Sequence, residues 1–422
     1  MHPYRLLTTL ALTTLLACDH DDHDAVPHDA DVSAPIAGAP GRPAESPTAA
    51  KHLGDVQTMP NAQAVFAETI KLIEDKYVDA AVDRDALYTG ATEGLLARLY
   101  QVGDHPVNTL MSPRELEELR AGTAGAIVGV GVEIGQSAGV VVVLNTIPGG
   151  PAAKAGLQPG DRILGIGEAR VNNLSLGQVV DKIRGADGTQ VDLFLQRDTE
   201  EWHATVTRAK VEMQNVGVPL LDGDVGYLAL RGFAETTPAE LDAAIAGLQA
   251  KGMRSLILDL RDCPGGLFDA AITIAGRFLR EGQAIAGVAH RGGDTKHHVT
   301  AADGPHADSA ALPLVVLVGP HTSSGAEVVA DALQTHGRAT LVGQPTLGKD
   351  SVEHVHALSN GWGLKLTGGR LIGAAGEPRN GKGVTPRLPV PADDDEHKPP
   401  TSLDGDADAA ISVARAWLRE RR

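Results

Sequence analysis

The chain has little cysteine, few aromatic residues and no surplus of positive charge, and each shortage removes a class of function. Cys18 and Cys263 are the two cysteines in 422 residues, which excludes a disulfide scaffold and a thiolate metal cluster. Aromatic residues make up 3% of the chain and the formal net charge is −17, so neither a base-stacking platform nor a phosphate-tracking surface for nucleic acid is expected. No apolar run beyond the N-terminus is long enough to cross a bilayer. What remains is 42% apolar and 22% charged, with 49 glycines and 25 prolines, the composition of a folded, turn-rich chain with room for two or three domains.

The N-terminus carries an address. Arg5 precedes an apolar stretch, Leu6 to Leu16, too short to span a membrane and suited to the core of a secretory signal. Leu15-Leu16-Ala17-Cys18 then resembles the bacterial lipobox, which implies that residues 1–18 are a signal peptide, that Cys18 is lipidated, and that the protein sits outside the cytoplasm on a lipid anchor. Plain secretion is the alternative. Residues 19–60 are rich in Asp, His and Pro without apolar periodicity and read as a disordered tether; nothing there fixes a coordination geometry, so no metal is assigned.

Three ordered segments follow. In 61–120, apolar residues recur at helical spacing in AVFAETIKLIEDKY and ALYTGATEGLLARLY, predicting a small helical domain. Residues 121–211 consist of short β-rich runs such as GVVVVLNTI and VDLFLQR between PGGPA, QPGD and GADG turns, with helices at 151–155 and 176–185. From 212 to 422, strands alternate with helices (DVGYLALRGF, PAELDAAIAGLQAKG, RSLILDLRD, GLFDAAITIAGRFL, LPLVVLVGP, AEVVADALQTHG, ATLVGQ), the pattern of an α/β core with parallel strands.

The middle segment resembles a PDZ domain, on Gly129-Val130-Gly131-Val132 and PAAKAGLQPGDRILGIG at 151–167. The resemblance implies that Gly129, Val130, Gly131 and Val132 hold a C-terminal carboxylate on backbone N–H groups while the following strand pairs with the incoming peptide. C-terminal tails of other proteins are the implied partners.

Three short segments of the α/β part have the look of a site. Thr322-Ser323-Ser324-Gly325 joins a buried strand to a helix, where the dipole favours developing negative charge, although helix capping alone also explains such serines. Gly265 and Gly266 end LDLRDCPGG and let backbone approach a substrate carbonyl. Lys349 sits in LGKDS; a lysine becomes a general base only when it is held as the neutral amine.

Together these segments resemble the carboxyl-terminal processing (tail-specific) peptidases, serine enzymes in which a PDZ domain precedes an α/β core of the crotonase/ClpP-like type. The markers occur in family order: YLALRGF, SLILDLRDCPGG, TSSGAE, GKDSVE and GKGVTPRLPV, with Lys349 25 residues after Ser324. The resemblance implies that Ser324 is the nucleophile, with Ser323 the less favoured candidate, and that Lys349 is its base. Gly325 with Gly265 and Gly266 would form the oxyanion hole, and no metal or other cofactor is implied. It leaves two roles for Glu327, orienting the site or complementing the helix dipole. Two positions depart from the pattern: Glu353 stands where the family carries glutamine, and an ionised carboxylate there would favour the ammonium form of Lys349; Cys263 stands where the family carries asparagine and reads as an inert packing residue. His321, His354 and His356 bracket the site as less favoured bases. An inactive tail-binding scaffold is the competing reading, an acyl-CoA enzyme of the crotonase type a weaker one, and self-association into a homo-oligomer is left open.

Overall fold

A computed structural model describes residues 60–421 apart from 80, 100, 103–104, 138–139, 301–311, 380, 392–402 and 404–407. The signal peptide, Cys18 and the tether up to residue 59 lie outside the described residues. The chain divides into two compact units, one built from residues up to Ser112 together with Glu353–Gly368, the other from Pro113–Val352 and Gly369 onward.

In the smaller unit, helices Ala62–Lys76 and Arg84–Ala97 form where the apolar spacing predicts them, the second capped by Asp83, whose carboxylate accepts the Ala86 N–H at 3.0 Å. The expected helical domain is not helical to its end. Thr109–Met111 is a strand, antiparallel to Gly363–Lys365, and Asn108 fixes it by accepting the Thr367 N–H at 2.7 Å. Helix Pro113–Thr123 belongs to the larger unit.

In the larger unit, residues 126–212 build a small β-rich module. Its main sheet runs Glu200–Thr207, Gln190–Arg197, Arg162–Ile166, Val140–Thr146, Val132–Ser137, which leaves Val132–Ser137 at an edge. Alternate residues Val141, Val143, Ile163, Leu193 and Leu195 turn inward and are buried, as period-two strands over one core require. Helix Leu176–Ile183 starts with a capping box between Ser175 and Gln178. Ala126–Gly129 pairs with Ala209–Glu212, so the chain enters and leaves the module side by side.

The remaining core holds a six-stranded sheet in the order Leu220–Asp222, Val225–Ala229, Ser255–Asp259, Leu314–Val318, Thr340–Gly343, Leu388–Pro389, parallel except for the first pair. Ser255–Asp259, Leu314–Val318 and Thr340–Gly343 are buried along their length, matching their unbroken apolar sequences. Helices Thr237–Ala250, Phe268–Gly276 and Gly325–Thr335 connect successive strands. The C-terminal helix Ala409–Arg419 lays Ile411, Ala414 and Leu418 on Tyr227, Ile257, Leu317 and Val342. A second, antiparallel sheet pairs Ala284–His290 with Thr295–Val299 and with residues 369–372. Periodicity did not announce it, because Thr295–Val299 is short, polar and exposed.

Candidate active site

Three parallel strands deliver three turns to one end of the sheet: 260–266 after Asp259, 319–324 after Val318, and 344–350 after Gly343. Open α/β sheets bind ligands at that carboxyl end. Every sequence-predicted residue of the peptidase site except Glu353, His354 and His356, which lie in strand Ser351–Ala357, falls on these turns or in the first turn of helix Gly325–Thr335.

The first two turns are laced together. Thr322 Oγ1 donates to the Leu260 carbonyl at 2.7 Å, the Ser323 N–H to that of Cys263 at 3.1 Å, and Ser323 Oγ to that of Pro264 at 3.0 Å. Ser323 therefore has its hydroxyl committed to structure. Ser324 differs: its Oγ is buried and makes no hydrogen bond among the described residues. Its backbone lies at φ 57°, ψ −121°, a left-handed conformation that costs an L-residue about 1–3 kcal/mol. Gly325, the first helical residue, has an N–H with no partner inside the helix and stands at the positive end of its dipole.

Gly265 packs directly on this serine. At φ 94°, a Cβ added to it would come within 2.7 Å of the Gly325 nitrogen and 2.9 Å of Ser324 Cβ. Gly266, at φ 147°, would drive a Cβ to 2.1 Å from the Phe233 carbonyl oxygen. The Phe233 N–H donates to the Gly265 carbonyl at 2.9 Å, and the Leu267 N–H to that of Phe233 at 2.8 Å, which pins the turn from its far side. Phe233 closes the YLALRGF marker, but its part in pinning this turn was not anticipated.

Glu327 ties the second turn to the third. One carboxylate oxygen accepts the N–H groups of Ser324 and Lys349, each at 2.9 Å; the other accepts Thr346 Oγ1 at 2.5 Å and the Gly348 N–H at 2.7 Å. Thr346 Oγ1 itself accepts the Val384 N–H at 2.7 Å, which directs its proton to Glu327. Burial pushes the Glu327 carboxyl up from its ordinary value, against the pull of these hydrogen bonds. All four partners are donors, so the arrangement fits the carboxylate. Glu327 thus accepts from residues of both turns as well as standing in the first turn of its helix; Thr346, its link to the third turn, was not anticipated.

Lys349 is 1% exposed and lines an internal pocket with Glu327, Val328, Asp331 and Arg379, the last two paired at 2.7 Å. Next to it, the Asp350 carboxylate accepts Arg370 at 2.8 Å and the Gly381 N–H at 3.0 Å. Glu353 lies four residues on, fully buried in strand Ser351–Ala357. His321 is exposed against Asp262 at 3.4 Å, His356 is exposed and His354 half-buried. Cys263 is wholly buried and its thiol is pushed up to about 12 by burial, the environment of a packing residue.

In the β-rich module, Gly129 ends one strand and Val132 begins the next, with Gly131 between them at φ 74°. The loop's carbonyls face inward: Val130 accepts the Ala152 N–H at 2.8 Å and Gly131 the Ile147 N–H at 3.0 Å. Val132–Ser137 pairs on one side with Val140–Thr146, and its other edge is available for an added strand.

The peptidase family S41 model matches residues 224–390, and a PDZ-domain model matches 142–197. The carboxy-terminal processing protease CtpA of Bacillus subtilis is 31% identical over 343 residues, covering 80% of this chain and 72% of that protein. A carboxyl-terminal-processing protease of Synechocystis is 36% identical over 305 residues, 70% of this chain and 69% of its own. A solved structure from Bacteroides fragilis assigned to the S41 proteases superposes with a TM-score of 0.51 at 16% identity, covering 83% of this chain and 96% of its own, a likeness of fold alone. With two matched models and relatives of this extent, the chain belongs to the carboxyl-terminal processing serine peptidases of family S41 and carries a PDZ domain, which implies binding of C-terminal peptides.

Proposed function

We propose that the protein is an extracytoplasmic endopeptidase that captures C-terminal tails in its PDZ groove and cleaves peptide bonds with a Ser324/Lys349 dyad. Its core is read as crotonase/ClpP-like, and Cys18 as a lipid anchor joined to the catalytic part by the 19–60 tether. Lys349, as the free amine, takes the proton of Ser324 Oγ as that oxygen attacks the scissile carbonyl. The Gly325 N–H and the Gly265–Gly266 turn receive the oxyanion. Collapse expels the amine product, which takes its proton from the Lys349 ammonium; water, deprotonated by Lys349, then releases the acyl group from Ser324.

The observation that carries this reading is the shared carboxylate: Glu327 accepts the N–H of Ser324 and the N–H of Lys349, each at 2.9 Å. Against an inert scaffold stands the strained Ser324 backbone with its uncommitted hydroxyl. Glu353 continues the strand that follows Lys349, and its part is read from the pH profile of Glu353→Gln. The test is cleavage of an unfolded protein with an apolar C-terminus by the wild type, Ser324→Ala and Lys349→Ala. Loss of cleavage in both variants supports the dyad. Retained cleavage in either removes that residue from it, and tail binding without cleavage by the wild type supports the scaffold.

A further inference from the structure

The turn that carries Gly265 and Gly266 begins in a buried charge cluster which the proposed reaction does not use. Arg261, two residues past the end of strand Ser255–Asp259, forks onto Asp259 through Nε at 3.0 and 3.1 Å and through a terminal nitrogen at 2.6 Å. The Arg261 N–H also donates to Asp259 at 3.0 Å, and Tyr227 donates its hydroxyl to the same carboxylate at 2.7 Å. The other terminal nitrogen of Arg261 reaches Asp408 at 2.7 Å, 147 residues away in sequence. Asp408 is the N-cap of the C-terminal helix, and its second oxygen accepts the Ile411 N–H at 3.0 Å. Arg261, Asp259 and Asp408 are all largely buried.

From this connectivity we infer that Asp408 is a positioning residue for the oxyanion turn, acting through Arg261. The inference rests on the reading of Gly265, Gly266 and Gly325 as the oxyanion site. Arg261 fixes the start of a turn whose carbonyls at Leu260, Cys263 and Pro264 receive Thr322 and Ser323 and whose Gly265 lies against Ser324. Of the two carboxylates that hold Arg261, Asp259 lies on the same strand end and Asp408 comes from a separate element. Without Asp408 the guanidinium keeps one carboxylate and its orientation is set from one side only. A shift of the turn by a fraction of an ångström misaligns its donors with the developing oxyanion while leaving the peptide groove untouched, so kcat falls and KM does not.

Asn and Ser cap helices about as well as Asp, so Asp408→Asn and Asp408→Ser remove the charge and keep the cap. Asp222 provides the control: it anchors the same helix through Arg415, which also donates to the Leu403 carbonyl, and lies away from the turn. The experiment measures kcat, KM and the thermal midpoint of the full chain for wild type, Asp408→Asn, Asp408→Ser, Asp222→Asn and Ser324→Ala, with an unfolded protein as substrate. A kcat reduced on the order of tenfold in the Asp408 variants, unchanged KM, and near-wild-type kcat in Asp222→Asn is the expected result. Wild-type kcat in either Asp408 variant overturns the inference. An equal loss in Asp222→Asn also overturns it, because the cause is then undocking of the helix. Residual activity in Ser324→Ala would instead bring down the dyad reading itself.

Discussion

Glu327 and Lys349 are joined side chain to main chain: the lysine's N–H donates to the glutamate oxygen that also receives the N–H of Ser324. The backbones of Ser324 and Lys349 are therefore held in place by one buried carboxylate, together with the Leu347 N–H, which donates to the Thr322 carbonyl at 3.0 Å. Glu327→Gln tests this. Whichever way the amide turns, its NH2 faces two donors, either Ser324 and Lys349 N–H or Thr346 hydroxyl and Gly348 N–H. The expected outcome is a loss of about 1–3 kcal/mol in stability from unpaired buried donors and a kcat lower by about 100-fold, read by chemical unfolding and steady-state kinetics.

Gly265→Ala inserts a methyl group where 2.7 Å separates it from the Gly325 nitrogen, at a φ that L-residues rarely adopt. Cleavage should fall below detection while peptide binding to the PDZ domain persists. Isothermal titration with a tail peptide separates the two readouts.

A tail peptide with a free carboxylate should bind the full chain at least about tenfold more tightly than its C-terminal amide, since hydrogen bonds to a charged acceptor contribute about 1.5–3 kcal/mol. Equal affinities would remove the Gly129–Val132 loop from carboxylate recognition.

The Cys263 thiol gives a pH dependence with a definite sign. Its value rises from an ordinary 9.0 to about 12 in the fold, because burial disfavours the thiolate. The stabilisation that follows is complete below about 9 and is lost as the pH climbs toward 12. The thermal midpoint of the wild type should fall more steeply than that of Cys263→Ala between pH 8 and 11, and Cys263 in the native protein should resist thiol alkylation at pH 8.

Ser324→Gly should be more stable than Ser324→Ala, because glycine adopts φ 57° without the cost an alanine pays there. Denaturant midpoints of the two variants provide the comparison.

Much of this was legible in the chain. The parallel sheet announced itself because strands such as Leu314–Val318 are buried on both faces and so are apolar without interruption. Ser324, Lys349 and the glycine pair were readable as a set by resemblance to a family, whereas as isolated residues each had an ordinary explanation. The part played by Glu327 was not decidable, since its four hydrogen bonds come from residues up to 22 positions away and exist only once the turns meet. Asp408 was silent for the same reason: an acidic residue before a helix reads as a cap, and its partner Arg261 is brought to it by the sheet. The antiparallel sheet went unread because Thr295–Val299 has no apolar alternation to betray it.

The left-handed backbone at Ser324 also bears on how such a protein would drift. If its hydroxyl ceased to matter, replacement of this serine by glycine would be rewarded with stability, so the glycine form lies downhill and needs no compensating change elsewhere. A chain that carries serine at such a position sits away from its own stability optimum, as catalytic use of the hydroxyl would require.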